Sequence, residues 1–85
     1  MKKFILTKDR DEIVEVQGKI VLVPPYKEHN TWYIGEELYS GKKIIRNILG
    51  DYDSENTAKS VFKAILFFLG SKNDFTFVMP IKFVE

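Results

Sequence analysis

One amphipathic helix among segments that read as strand is what this chain has to fold around. In residues 53–69, DSENTAKSVFKAILFFL, the apolar side chains Ala58, Val61, Phe62, Ile65, Leu66 and Leu69 fall at i, i+3, i+4, i+7, i+8 and i+11. That spacing is a single stripe of an α-helix. Asp53 and Ser54 are both suitable N-caps, Glu55 in the first turn complements the helix dipole, and Gly70 suits a left-handed position just past the end. No other segment shows a clear helical period. The expected fold is therefore α+β: four to six mainly antiparallel strands forming a curled meander sheet, packed on this helix, with a last strand after it.

Residues 3–7 (KFILT) read as the first strand and residues 8–11 as a polar turn. Residues 12–23 (EIVEVQGKIVLV) are rich in β-branched side chains and carry Gly18 at their middle. They fit either one strand bent at Gly18 or a hairpin turning at Gln17-Gly18. The bent strand is preferred, because Val14, Val16, Ile20 and Leu22 keep one parity across the glycine. Pro24-Pro25 ends the segment, since proline cannot donate to a central ladder, and residues 26–30 form a loop.

Residues 31–39 (TWYIGEELY) alternate Trp32, Ile34 and Leu38 against Tyr33 and Tyr39, with Glu36 the one charged residue at the Trp32 parity. With the turn Ser40-Gly41-Lys42 and residues 43–49 (KIIRNIL) they make a hairpin. Residues 75–79 (FTFVM) form the last strand, stopped or moved to an edge by Pro80, and residues 81–85 are an extension or a tail. With no repeat and no linker, the 85 residues make a single domain, which buries only roughly 60–65% of its unfolded surface.

This layout leaves apolar surface over. Ile44 and Ile48 oppose Ile45 and Leu49 in parity, as Val21 and Val23 oppose Ile20 and Leu22, whereas an antiparallel sheet with one solvated face alternates apolar with polar. One helix covers one face. The other must be met by curling of the sheet, the C-terminal segment, a second copy or another protein. On the helix, Phe67 lies about 180° from the centre of the stripe and Phe68 about 80° off it. The candidate protein interface is accordingly Phe67 and Phe68, with Phe75 and Phe77 of the last strand and the exposed sheet aromatics as secondary candidates.

Chemistry finds little foothold. A chain without cysteine has no disulfide, thiolate nucleophile or cysteine-ligated metal. His29 is the sole histidine, so a zinc site or a histidine-activated serine lacks partners, and a solvated loop residue is the simpler reading. Residues 51–55 space carboxylates as a calcium loop opens, but Asn56 replaces the glycine and Phe62 the bidentate glutamate. Gly35, Gly41 and Gly50 are isolated and make no phosphate-binding loop. The expectation is a non-enzyme with no cofactor, metal or small-molecule substrate.

Charge and hydropathy narrow the partners. Thirteen basic residues against twelve acidic leave a net charge of +1, so no global field draws in nucleic acid or an acidic membrane. A local cluster remains: Lys42, Lys43 and Arg46 lie near Trp32, Tyr33 and Tyr39, an arrangement of bases and stacking rings that single-stranded nucleic acids use. Glu36 and Glu37 sit in the same hairpin and weaken that alternative. The apolar run after Met1-Lys2-Lys3 is too short for a secretory signal, and residues 64–69 fall far short of the roughly 20 needed to span a bilayer. The expected setting is cytoplasmic.

Residues 49–55 (LGDYDSE) with Ala58 and Val61, and residues 75–80 (FTFVMP), resemble a group of short uncharacterised proteins of Gram-positive bacteria and their phages. Those combine a small β-meander, a Leu-Gly-acidic-Tyr turn into one helix, and a final strand ending in Met-Pro. The opening Phe4-Ile5-Leu6-Thr7 and Ile13-Val14 fit the same plan loosely. The resemblance covers about half the chain. It implies the fold and a bacterial or mobile-element setting, and carries over no active residues; Pro24-Pro25 and the basic strand 42–46 depart from the pattern. The function expected is a small protein-interaction module, either self-associating or docking on a larger host or phage protein, with weak single-stranded nucleic-acid binding as the alternative.

Overall fold

The segment around Gly18 decides the architecture. The computed structural model describes residues 2–26 and 29–81, with β1 Phe4–Leu6, β2 Ile13–Glu15, β3 Lys19–Val23, β4 Trp32–Ser40, β5 Lys43–Tyr52, α1 Glu55–Gly70 and β6 Thr76–Val78. β2 and β3 do not pair with each other. β2 runs antiparallel to β1, and β1 is flanked on its other side by parallel β6, giving one three-stranded sheet in the order β2-β1-β6. β3 pairs with β4 and β4 with β5, all antiparallel, giving a second sheet in the order β3-β4-β5. The α+β class, the hairpin and the strand after the helix are as the sequence implies. The meander divides because the 12–23 segment bends and passes from one sheet to the other.

Two neighbours hold that bend. A Cβ on Gly18 would stand 2.1 Å from the Glu37 carbonyl oxygen, so no side chain fits there. Glu36, only 1% exposed, turns its carboxylate to the corner and accepts hydrogen bonds from the backbone N–H of Gln17 at 2.6 Å and of Gly18 at 2.9 Å. The charged residue in an otherwise apolar row is thus the anchor of the bend, satisfying two donors that leave the ladder there.

The helix lies across the inner face of the β3-β4-β5 sheet. Ala58, Val61, Ile65 and Phe68 meet Ile20, Ile34, Leu49 and Tyr52, while Ile5 and Met79 close the core from the other sheet. The buried arc is turned slightly from the sequence stripe: Phe68 is buried and Leu66 is 48% exposed. The cause is Phe77, partly buried from β6, whose ring lies 5.6 Å from that of Phe68. Ser54 caps the N-terminus, its side chain accepting from the Thr57 N–H. At the other end the structure corrects the expectation. Gly70 belongs to the helix, Gly41 is the glycine with positive φ, and Ser71 is the cap in extended conformation.

No basic residue occupies the last turn of α1, and Lys3 supplies the charge from outside. Its Nζ donates to the carbonyls of Phe68 (2.7 Å), Ser71 and Asp74 (2.8 Å) and sits 4.6 Å from the Phe68 ring. A cation there meets the negative end of the helix dipole. Tyr52 ties the end of β5 to the C-terminal segment by donating its hydroxyl to the Pro80 carbonyl at 2.8 Å. Burial, with the Asp51 charge adding to it and Arg10 opposing, pushes the Tyr52 phenol up to about 12. The possible continuation of the last strand over 82–85 lies outside the described residues.

Candidate protein-interaction surface

The register of β3, β4 and β5 sorts their side chains onto two faces. Successive residues of a strand point to opposite sides, so Ile20, Leu22, Trp32, Ile34, Glu36 and Leu38 share the inner face toward α1. The outer face is built in rows: Val23 beside Tyr33 and Asp51, Val21 beside Gly35 and Ile48, Lys19 beside Glu37 and Arg46, and Tyr39 beside Ile44. On it Tyr33, Tyr39, Ile44 and Ile48 are all exposed. Arg46 Nε (3.2 Å) and Nη2 both donate to Glu37 Oε2, so the central charges of this face neutralise each other.

Exposure at the turn end of the hairpin is not confined to that face. Ile45, of inner parity and opposite Leu38, is as open as Ile48, and every residue from 43 to 48 is exposed. Ser40 and Lys43 are paired across the two-residue turn Gly41-Lys42, with Gly41 at φ 62°. Below it the register shifts between Ile34, paired with Gly50, and Gly35, paired with Ile48. Leu49 is the extra residue of this bulge and is buried, so the bulge is where β5 changes from open to covered.

The four phenylalanines singled out for an interface separate. Phe67 is 81% exposed on the side of α1 away from the sheets, and Phe75 is exposed just before β6. Phe68 and Phe77 pack on each other in and against the core. The nucleic-acid candidates separate too. Tyr33, Tyr39 and Arg46 lie on the outer face with Lys42 and Lys43 at its turn end, but Trp32 is on the inner face against the core, and Arg46 is held by Glu37. Ile44, Ile45 and Ile48 are exposed residues that sequence reasoning did not place in the interface, although their double parity was the signal.

His29 is exposed in the loop before β4. Among the described residues no cluster of His, Asp and Glu is arranged to hold a metal, no pocket is found, and no helix is long and apolar enough to cross a membrane. A scan against protein-family models finds no match, and comparisons with curated proteins and with solved structures find none.

Proposed function

We propose that the protein is a non-catalytic protein-interaction module, a self-associating accessory protein or an adaptor or inhibitor that docks on a larger protein. A bacterial or phage cytoplasm is the setting proposed from the resemblance of residues 49–55, with Ala58 and Val61, and of residues 75–80. One observation supports the reading most: Tyr33, Tyr39, Ile44 and Ile48 stand exposed together on the outer face of the β3-β4-β5 sheet. Aromatic and aliphatic side chains gathered on one exposed face, around a neutralised ion pair, are the make-up of a protein contact. Phe67 on the helix is the second candidate surface.

Site-specific photo-crosslinking in the cell of origin tests this. A photoreactive residue placed at Tyr39 or at Phe67 is expected to give a discrete protein adduct, whereas one at the exposed helix start, Glu55, gives none. No discrete adduct from either position would sink the reading; adducts from one position alone would say which surface is used. The nucleic-acid alternative predicts oligonucleotide binding that weakens steeply with salt. It draws on Tyr33, Tyr39, Lys42 and Lys43, with Trp32 turned inward and Arg46 already paired.

A further inference from the structure

Strand β5 is the feature of the surface that says what kind of partner would complete it. The described sheets have four edges. β2 and β6 are three residues long, and β3 is five residues followed by Pro24-Pro25, so each is short or interrupted in the manner that discourages pairing. β5 is ten residues long, and its turn-end part, KIIRNI, is open, with three isoleucines among its six residues. Because Ser40 and Lys43 pair directly across a two-residue turn, they are a hydrogen-bonded pair, and the alternation continues along the ladder. Lys43, Ile45 and Asn47 therefore bond to β4. The N–H and C=O groups of Ile44, Arg46 and Ile48 point to the open edge.

The pattern of exposure distinguishes the mode of contact. A partner laid on the outer face would cover Ile44 and Ile48 but leave Ile45, on the inner face, in water. A strand added along the edge approaches both parities at once. Only the second mode uses Ile44 and Ile45 together with the unpaired backbone groups beside them.

The register points to a second copy. An antiparallel pair of identical strands around a twofold axis perpendicular to the sheet keeps inner and outer faces in common, so the axis must pass at a residue that faces its own counterpart. Centring on Arg46 would set two guanidinium groups directly against each other, which is unfavourable. Centring on Asn47 would carry the pairing across the bulged Leu49. Centring on Ile45 avoids both: Ile45 meets Ile45 of the second copy, Ile44 exchanges backbone hydrogen bonds with Arg46 of the second copy, and Lys43 faces Asn47. Each Arg46 keeps its Glu37.

We infer that the chain forms a twofold dimer by antiparallel pairing of β5 with β5 of a second copy, centred on Ile45, which joins the two β3-β4-β5 sheets into one six-stranded sheet. The contact is isologous and closes on itself, leaving β3 at both outer edges. It rests on the reading of the protein as an interaction module and specifies the partner.

Sedimentation equilibrium across micromolar to millimolar concentrations tests it with two charged variants. The unaltered chain is expected to show reversible dimers. Ile45→Lys and Ile45→Glu, each alone, place like charges face to face and should weaken association by about a hundredfold or more, while their circular dichroism stays that of the folded protein. Mixed in equal amounts, the two variants should dimerise again, because only contact of residue 45 with its own counterpart sets Lys against Glu. A monomeric unaltered chain, an Ile45→Lys chain that still dimerises, or a mixture that stays monomeric would each overturn the inference. The broader reading fails separately, by the absence of crosslinks at Tyr39 and Phe67; a crosslink to a different protein from a monomeric chain would sustain that reading and end this one.

Discussion

The two halves of the β4–β5 hairpin are made of the same kinds of residue and meet opposite fates. At and below the bulge, Ile34, Leu49 and Tyr52 are buried; above it, Tyr39, Ile44, Ile45 and Ile48 stand exposed. Side-chain hydrophobicity does not distinguish Leu49 from Ile45. What differs is what lies opposite: Leu49 belongs to the core formed with α1, Ile5 and Met79, while the hairpin continues past it toward the turn. Apolar pattern says which residues gain from burial, and the placement of a neighbour decides which of them receive it.

The largest test of that contrast is a pair of truncations. Leu49→Ala removes a side chain that is fully enclosed and should cost about 2–5 kcal/mol of stability, the usual range for a large aliphatic group deleted from a core. Ile45→Ala, measured at low micromolar concentration, should change stability by no more than about 0.5 kcal/mol, as befits an exposed position. Urea unfolding of both variants gives the comparison. An equal loss from the two would mean that the upper half of the hairpin is covered in the monomer after all.

Glu36, buried on the inner face just above the bulge, should show the next largest effect. Its carboxylate accepts from two backbone N–H groups at the bend, both charge-assisted contacts in a buried place. Glu36→Ala should cost about 2–3 kcal/mol, since hydrogen bonds to charged groups contribute more than neutral ones and the donors would lose their acceptor. Glu36→Gln, which keeps one acceptor oxygen, should lose less. Amide exchange at Gln17 and Gly18 would rise in both variants. If exchange there were unchanged, the bend would be held by Gly18 and its neighbours alone.

What could be read in the sequence follows the same division. Local signals were sufficient for the helix, the β4–β5 hairpin, the last strand and the single parity of Val14, Val16, Ile20 and Leu22 that marks a bent strand. Contacts between distant residues were not legible. Lys3 caps the end of α1 across sixty-five positions of sequence, and Phe77 turns Phe68 from a residue off the helix stripe into part of the core. Glu36 read as an oddity in an apolar row because its partners, Gln17 and Gly18, lie in the bend between β2 and β3. The doubled isoleucines were visible from the start, but their meaning depends on β5 being an edge, which only the strand order 3-4-5 reveals.

The smallest effect concerns Tyr52, at the covered end of the hairpin, and it separates by pH. At neutral pH, Tyr52→Phe loses the hydroxyl's bond to Pro80 and should cost about 0.5–1.5 kcal/mol. The phenol titrates near 10 in the unfolded chain and at about 12 in the folded one, so between those values the unfolded state has released a proton that the folded state still holds. Stability from this group is therefore complete below about pH 10 and is lost as pH rises toward 12, by an amount on the order of 2 kcal/mol. The phenylalanine variant has no such loss. Its deficit at pH 7 should shrink above pH 10 and vanish or reverse near pH 12, because every other group is common to both proteins and cancels in the difference. Stability curves that stay parallel from pH 9 to pH 12 would show that the Tyr52 hydroxyl is open to water, and that the covered half of the hairpin ends above it.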